Sequence, residues 1–229
     1  MIKKLSIIVP AYNEEKRIGL FLKDLNKYCV SNLDKYEIVV VNDGSKDRTE
    51  DILKRIKYKN FRFISYTPNK GKANAVKTGV LTAKGSHLLF IDADGATSPK
   101  EISKMIPYFD NYDVVVGSRN LRESKAKREF KRSVLSFGFN NYVSFLFGMN
   151  FSDYLCGFKG FKISVARRLF ANLKSKRWIF DVELFHRIKK YRVSVKEMAI
   201  LWIHQDDSKM KFVDVLKIFW QLFVLRLKV

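Results

Sequence analysis

The stretch LLFIDADGATSP (Leu88–Pro99) leads four apolar residues directly into two aspartates that are separated by a single alanine. Because successive side chains of a strand alternate between its faces, Asp92 and Asp94 share one face, with their Cα atoms about 7 Å apart. Two carboxylates this close repel each other unless a positive charge lies nearby. The stretch therefore predicts a buried strand that ends either in a solvated acidic loop or in a site for a bound cation.

Apolar runs of the same kind occur on both sides of this stretch, and amphipathic helices separate them. Helices are predicted over residues 14–28, 47–56 and 72–83, and the strands are LSIIVP, YEIVVVND, FRFISY, HLLFIDAD and YDVVVGS. Continuous apolar strands that alternate with helices are typical of a parallel sheet covered on both faces. We therefore predict an α/β fold with a mostly parallel sheet and helices on both faces.

Polar residues follow four of the predicted strands. In sheets of this type, ligands bind beyond the carboxyl ends of the strands. The four polar segments are Pro10–Glu14, Asn42–Ser45, Asp92–Asp94 and Gly117–Arg119. Their convergence on one edge of the sheet favours a binding site more strongly than the two aspartates do alone.

Composition limits the class of protein and its partners. The length of 229 residues and the hydrophobic content of 47% predict one domain, 1–229, with a substantial core. The net charge of +21 favours an anionic partner such as nucleic acid, anionic lipid or a phosphorylated substrate. Cys29 and Cys156 lack metal-ligand or redox spacing, which predicts a reducing, cytoplasmic environment. We expect neither a signal peptide nor a membrane-spanning segment, which needs about 20 apolar residues.

The second half of the chain contains a basic run and two amphipathic segments. The run RNLRESKAKREFKR has seven basic and two acidic residues and opens a predicted membrane-proximal insertion, 119–151. The helix that follows is predicted to have one apolar face, and Ser133, Ser136, Asn140 and Ser144 lie opposite it. The apolar face comprises Val134, Leu135, Phe139, Tyr142, Phe145, Leu146 and Met149.

The C-terminal segment 212–229 predicts a second amphipathic helix. Its narrow polar stripe is Asp214, Lys217, Gln221 and Lys228, and its broad apolar face is Phe212, Leu216, Phe219, Trp220, Phe223 and Leu227. Apolar faces beside basic residues are typical of helices that lie among anionic lipid headgroups. We therefore predict a peripheral protein on the cytoplasmic face of a membrane. The alternative is that both helices pack on the sheet or on another subunit of an oligomer.

Two further motifs each allow a structural and a functional interpretation. VNDGSKDRTEDI predicts either a turn with Ser45 or Asp47 as a helix cap, or a site where Asp43 accepts the imide hydrogen of uracil. NKGKANAVKTG predicts either a glycine turn before a helix, or backbone donors and Lys72 near a nucleotide. The latter motif lacks the Gly-Lys-Ser/Thr ending of a Walker loop.

Taken in order, the motifs resemble those of glycosyltransferase family 2, whose members have the GT-A (Rossmann-like) fold. SIIVPAYNEE, VVVNDGSKDRT, NKGKANAVKTG, DADGATSP and GSR carry this resemblance. DYLCGFKGFK and RWIFDVELF are similar to the branch that transfers sugars to polyprenyl phosphates, including dolichyl phosphate, and its glucosyl members are the most similar. The resemblance extends from Ile7 to about Leu227.

The resemblance implies a role for each matching residue. Asp92 and Asp94 form the Asp-X-Asp motif, which binds Mg²⁺ or Mn²⁺ together with the donor diphosphate. Asp94, Arg119 and Asp181 are then the catalytic candidates, and Arg119 and Arg132 hold the acceptor phosphate. The donor nucleotide-sugar site comprises Pro10, Tyr12, Asn13, Glu14, Asp43, Lys72, Asp92, Trp178 and Glu183.

The implied activity is an inverting transfer of a sugar, glucose from UDP-glucose in the first instance, to a polyprenyl phosphate. Ala96 replaces the glutamine that mannosyl relatives place in the metal motif, and Leu155 replaces a glutamine common in the glucosyl branch. UDP-N-acetylglucosamine and GDP-mannose therefore remain alternative donors. A sugar hydroxyl is the alternative acceptor, and it would need Asp153, Asp181 or Glu183 as a base. Nucleic-acid binding is not expected, because the basic run lacks evenly placed aromatics and a reading module.

Overall fold

A seven-stranded sheet forms the centre of the structure, a computed structural model that describes residues 2–127, 130–175, 179–203 and 212–228. The strand order is β3-β2-β1-β4-β7-β5-β8, and a separate two-stranded sheet pairs β6 with β9. The strands are β1 (Leu5–Ala11), β2 (Tyr36–Asp43), β3 (Phe61–Tyr66), β4 (His87–Ile91), β5 (Val114–Ser118), β6 (Lys125–Lys127), β7 (Phe158–Lys162), β8 (Val195–Ala199) and β9 (Leu201–Ile203).

Helices cover both faces of the sheet. They are α1 (Ile18–Asn32), α2 (Thr49–Arg55), α3 (Lys72–Thr82), α4 (Glu101–Met105), which continues into a 3₁₀ turn over Ile106–Asp110, α5 (Phe130–Phe147), α6 (Ile163–Phe170), α7 (Phe180–Lys190) and α8 (Phe212–Lys228). Side chains of β1 alternate between two cores, with Ile8 in one and Ile7 and Val9 in the other. The predicted α/β architecture, with its mostly parallel sheet, is confirmed.

The parallel pairing places the functional strand ends side by side. β1 pairs in parallel with β2 and with β4, and β5 pairs in parallel with β8. β7 is antiparallel and lies between β4 and β5. The carboxyl ends of β1, β2, β4 and β5 therefore meet at one edge, and the start of β7 meets them there.

The structure buries only part of the face of α5 that the sequence predicted to be apolar. Phe139 is buried as predicted, and Val143, which the prediction did not place on that face, is also buried, but Phe145 is 88% exposed. Asn140, predicted on the polar face, is buried and donates its Nδ2 to the carbonyl of Ser152 at 2.9 Å. The buried face of α5 is therefore rotated relative to the predicted apolar face. The rotation is possible because the carbonyl of Ser152 accepts a hydrogen bond from the buried amide of Asn140.

Helix α8 packs against α5 and also retains exposed apolar residues. Its Ile218, Leu222 and Leu225 are buried in the main core, whereas Trp220, Phe223 and Leu227 face outward. The side chains of Phe212 and Leu216 lie outside the described residues. Within the described parts of the chain, no helix combines the length and the apolar content needed to cross a bilayer.

Candidate active site

The loop after β1 is fixed against the loop after β2. The amide of Asn13 donates to Ser45 Oγ at 2.9 Å, and the amide of Lys46 donates to Asn13 Oδ1 at 2.8 Å. Asn13 adopts a positive φ of 53°, a conformation that asparagine tolerates better than most residues. These hydrogen bonds hold the Pro10–Glu14 segment in place at the edge of the sheet. Glu14, at the end of the segment, forms an ion pair with Arg17 at 2.7 Å.

Asp43 is buried and organises the segment that leads into α3. Its carboxylate accepts the amides of Lys70 at 2.8 Å and Gly71 at 2.9 Å, and the Nδ2 of Asn69 at 2.8 Å. An ionised carboxylate offers about four acceptor positions, so these three donors occupy most of them. The structure thus gives Asp43 a positioning role, and its contact with a uracil imide stays a prediction.

A lysine lies beside the Asp-X-Asp motif. Lys72 Nζ is 2.6 Å from Asp92 Oδ1. Burial alone would lower the pKa of Lys72, but the negative charges of Asp92 and Asp181 outweigh burial and raise it above its ordinary value. The positive charge that the two aspartates require is therefore provided in part by a side chain of the same protein.

The ionised form of Asp94 remains unfavourable even with Lys72 nearby. Burial, followed by the charge of Asp92, raises the pKa of Asp94 above its ordinary value, and a hydrogen bond from the Ala96 amide at 2.9 Å opposes the shift. A divalent cation would relieve the repulsion between the two carboxylates, because each would then have a cationic partner.

Gly157 lies directly against the carboxylate and the backbone amide of Asp92. A Cβ at position 157 would lie 1.9 Å from Asp92 Oδ2, and the Asp92 amide donates to the Gly157 carbonyl at 3.1 Å. The absence of a side chain at 157 therefore creates the space that the carboxylate occupies.

Two carboxylates in such a space fit Mg²⁺ or Mn²⁺, which prefer oxygen ligands. The described residues contain no group of three or more His, Cys, Asp or Glu side chains that could hold a metal ion. Diphosphate oxygens and water would therefore have to complete the coordination of an ion held by Asp92 and Asp94.

Arg119, which follows β5, forms a two-point ion pair with Asp153. Its Nε lies 2.7 Å from Asp153 Oδ2 and its Nη2 lies 2.8 Å from Oδ1, while the Arg119 amide also donates to Oδ2 at 3.0 Å. Trp202 stacks beside the guanidinium, 5.5 Å from ring centroid to Cζ. A planar guanidinium held in this way presents its other N–H groups in a fixed direction.

Asp181, in the first turn of α7, is buried and pairs with Lys159 at 2.7 Å. Burial raises the pKa of the Asp181 carboxyl above its ordinary value, and the charges of Lys159 and Lys72 oppose that rise. The charges of Lys72 and Asp92 therefore act on Asp181, and its catalytic role stays a prediction.

The remaining predicted residues are placed differently. Glu183 is buried and accepts the amides of Lys174 and Ser175, and its Oε1 lies 3.7 Å from Arg187, so its carboxylate anchors the loop before α7. Arg132 lies in α5, but its side chain is outside the described residues, as is Trp178 altogether. Their predicted contacts with acceptor and donor stay predictions.

Sequence reasoning did not assign roles to Lys159 and Gly157, and it considered Asp153 only as a base. All three lie in the motif DYLCGFKGFK, which supported the family resemblance as a block of letters. The lysine in the middle of FKGFK, the sequence of β7, was the available signal, since a lysine in a central strand has to be paired in the core.

The model of the family described as Glycosyl transferase family 2 matches residues 6–170. The chain is 37% identical over 223 residues to a dolichyl-phosphate beta-glucosyltransferase of Dictyostelium discoideum, covering 90% of this chain and 68% of that protein. The human dolichyl-phosphate beta-glucosyltransferase is 34% identical over 226 residues, covering 91% and 70%.

Solved structures of glucosyl-3-phosphoglycerate synthase from Mycobacterium tuberculosis have a similar fold. The complex with UDP superposes with a TM-score of 0.72 at 16% identity, covering 98% of this chain and 79% of that one. The complex with Mn²⁺, UDP-glucose and phosphoglyceric acid gives a TM-score of 0.71 at 15% identity, covering 99% and 80%. At these identities the likeness establishes the fold alone.

Proposed function

The chain belongs to glycosyl transferase family 2 and is a glycosyltransferase, and from this premise we propose that it transfers glucose from UDP-glucose to a polyprenyl phosphate such as dolichyl phosphate. The observation that carries the proposal is the arrangement at the sheet edge. A carboxylate pair suited to a divalent ion and an arginine suited to a phosphate follow two strands, β4 and β5, that both pair with β7. The names of the relatives, dolichyl-phosphate beta-glucosyltransferases, support glucose as the transferred sugar and dolichyl phosphate as the acceptor.

The donor half of the proposal rests on the ends of β1, β2 and β4. In this proposal Asp43 would accept the uracil imide, Lys72 would bind the diphosphate, and Asp92 and Asp94 would hold Mg²⁺ or Mn²⁺. Bound there, the ion would neutralise charge on the departing nucleotide diphosphate. Lys72 contributes a second positive charge at the same place, because its ammonium already lies against Asp92.

The acceptor half rests on Arg119. Asp153 engages two of the five N–H groups of the guanidinium, which leaves the others to bind phosphate oxygens in a fixed orientation. A phosphate monoester has a second pKa of about 6 and is mostly dianionic at neutral pH, so it is a nucleophile without help from a base. Inversion follows from direct displacement of the nucleotide by this oxygen.

The contacts of the three candidate bases, Asp153, Asp181 and Glu183, also favour a phosphate acceptor over a sugar hydroxyl. Asp153 accepts four hydrogen bonds, three from Arg119 and one from the Leu155 amide at 3.2 Å, which fills its acceptor positions. Glu183 is committed to the backbone of the loop before α7. Of these three candidate bases, only Asp181 combines a raised pKa with a place near Asp92, so the hydroxyl alternative would depend on it.

We place the enzyme on the cytoplasmic surface of a membrane, where a lipid phosphate is accessible. Outward-facing aromatic residues on α5 and α8 support this placement: Phe137, Phe145, Trp220 and Phe223. Exposed Arg122 and Lys125 lie in the basic run that precedes α5. Aromatic and basic residues together match the interface of an anionic bilayer.

Transfer assays with separately radiolabelled UDP-glucose, UDP-N-acetylglucosamine and GDP-mannose test the proposal. Each donor is incubated with dolichyl phosphate and with a neutral glycolipid acceptor, and thin-layer chromatography resolves the lipid-extracted products. We expect a labelled glucosyl phospholipid from UDP-glucose and dolichyl phosphate. Transfer only to the neutral acceptor, or only from GDP-mannose, would contradict it.

A further inference from the structure

Lys159 occupies a core position in the middle of the sheet. It lies on β7, opposite Phe90 of β4 and Val116 of β5, and its side chain is fully buried. The ammonium lies 5.5 Å from the ring centroid of Phe90 and 5.4 Å from that of Phe185. A charge in such apolar surroundings is costly unless every donor of the ammonium is paired.

All three hydrogens of the Lys159 ammonium have acceptors. Nζ donates to Asp181 Oδ1 at 2.7 Å, to the carbonyl of Cys156 at 2.6 Å and to the carbonyl of Tyr154 at 3.2 Å. One acceptor therefore belongs to α7, and two belong to the 153–157 turn that precedes β7.

That turn touches both halves of the site. Asp153, at its beginning, holds the guanidinium of Arg119. Gly157, at its end, provides the space for the Asp92 carboxylate and the carbonyl that receives the Asp92 amide. The turn is thus the physical link between the proposed metal ligand and the proposed phosphate-binding arginine.

We infer that Lys159 is a positioning residue whose buried ammonium sets the 153–157 turn and Asp181 in place and so fixes donor and acceptor groups relative to each other. Lys159 acts through other residues and contacts neither substrate. The inference rests on the proposed function for the identity of the substrates, but the geometry of the turn does not depend on it.

The test compares Lys159→Met with Lys162→Met. Lys162 ends the same strand and pairs at the surface with Asp113 at 3.0 Å, which makes it a matched control for loss of a lysine from β7. Three readouts are the binding of Mn²⁺–UDP by calorimetry, the KM for dolichyl phosphate, and kcat. A residue that only stabilises the fold would lower the melting temperature and leave both affinities of the folded protein unchanged.

We expect Lys159→Met to weaken Mn²⁺–UDP binding and to raise the acceptor KM together, each by about 10–100-fold, the range seen when supporting residues of a metal site are removed. Lys162→Met should change neither by more than about twofold. Folded Lys159→Met protein with both affinities at the wild-type level would overturn the inference. If the wild-type enzyme transfers no glucose, the proposed function fails, and calorimetry still decides the role of Lys159.

Two further variants apply where Lys159→Met does not fold. Lys159→Met combined with Asp181→Asn removes both charges of the buried pair, so no unpaired charge is left in the core. Lys159→Arg keeps the charge but cannot place three N–H groups on the same acceptors. Weakened Mn²⁺–UDP binding in folded Lys159→Arg supports the inference, as does weaker binding by the double variant than by Asp181→Asn alone. Wild-type binding by Lys159→Arg, with equal binding by the double variant and Asp181→Asn, overturns it.

Discussion

The guanidinium of Arg119 and the carboxylate of Asp153 form a two-point ion pair, with Nε 2.7 Å from Oδ2 and Nη2 2.8 Å from Oδ1. Both residues are largely buried, at 17% and 1% side-chain exposure. The pair joins the end of β5 to the turn before β7, so the orientation of the arginine is fixed by a residue 34 positions later in the chain.

The first prediction concerns acceptor binding. Arg119→Ala removes the proposed charged hydrogen bonds to the lipid phosphate, each worth about 1.5–3 kcal/mol, or roughly ten- to a hundredfold in KM. We expect the KM for dolichyl phosphate to rise by that factor while the KM for UDP-glucose changes little. Arg122→Ala, at an exposed basic neighbour, is the control. Equal changes in both KM values would mean that Arg119 does not bind the acceptor.

The second prediction concerns the space beneath Asp92. Gly157→Ala would put a Cβ 1.9 Å from Asp92 Oδ2, so the carboxylate would have to move. We expect metal-dependent activity to fall by about 10–100-fold or more, measured as kcat/KM over a Mn²⁺ titration. Gly138→Ala is the matched control, because a Cβ there meets nothing within 4 Å. A Gly157→Ala enzyme with wild-type Mn²⁺ dependence would contradict this assignment.

The sequence predicted the positions of those site residues that a local pattern determines. It did not predict the contacts that depend on segments distant in the chain. Asp92 and Asp94 follow an apolar strand, so their place at the sheet edge follows from strand alternation alone. The partners of Asp43 in the 69–71 segment depend on the pairing of β2 with β3 and on the chain path beyond it. No local pattern encodes such a contact.

The prediction of which face of α5 is buried was wrong in part for a similar reason. Counting apolar residues at helical spacing placed Phe139 and Phe145 on one face, but the structure buries the first and exposes the second. The rotation is set by Asn140, whose amide bonds to Ser152, and by Ser144, whose hydroxyl lies 2.9 Å from the Tyr154 hydroxyl. Polar residues with partners in the core are indistinguishable in sequence from polar residues in water.

The third prediction concerns metal dependence. Since Asp92 and Asp94 are the proposed protein ligands, EDTA should abolish transfer, and added Mg²⁺ or Mn²⁺ should restore it. Asp94→Asn should lose activity by about a hundredfold while circular dichroism and the melting curve remain those of folded protein. Asp51→Asn, at an exposed position on α2, serves as the control. Full activity in EDTA would exclude the metal assignment.

The fourth prediction concerns pH and the stability of the sheet. Burial alone would raise the pKa of Glu37, but hydrogen bonds from Ser6 and the Lys84 amide, both at 2.6 Å, together with the charge of Arg62, lower it below its ordinary value. A carboxyl with a lowered pKa stabilises the folded state above the unfolded pKa, near 4.3, and loses that contribution as pH falls through the folded pKa.

Glu37→Gln should therefore reduce the free energy of unfolding by about 1.5–3 kcal/mol at neutral pH, and by less as the pH falls below about 4. Urea unfolding of wild type and variant at a series of pH values measures the difference. Glu123→Gln, at an exposed position, should show no such trend. A destabilisation that is constant with pH would show that the charge of Glu37 is not its source.

The fifth prediction is that the protein binds anionic membranes through exposed residues of α5 and α8. Phe137 is 70% exposed and Trp220 is 68% exposed, and Trp220 stacks on Phe223 at 5.9 Å between ring centroids. Aromatic side chains with this exposure gain free energy when they enter the boundary between headgroups and acyl chains. The buried Phe139 takes no part, because changing it would open a cavity in the core instead.

Flotation with liposomes that contain phosphatidylserine tests this surface. Wild-type protein should float at low salt and partly sediment at high salt, because basic residues contribute about 1 kcal/mol each near an anionic surface and salt screens them. Changing Phe137, Phe145, Trp220 and Phe223 to serine should abolish flotation. The matched control changes Leu20, Val30 and Leu81, which are exposed apolar residues of α1 and α3, and should float as wild type does. Equal loss in both variants would show that general hydrophobicity, and not this surface, drives binding.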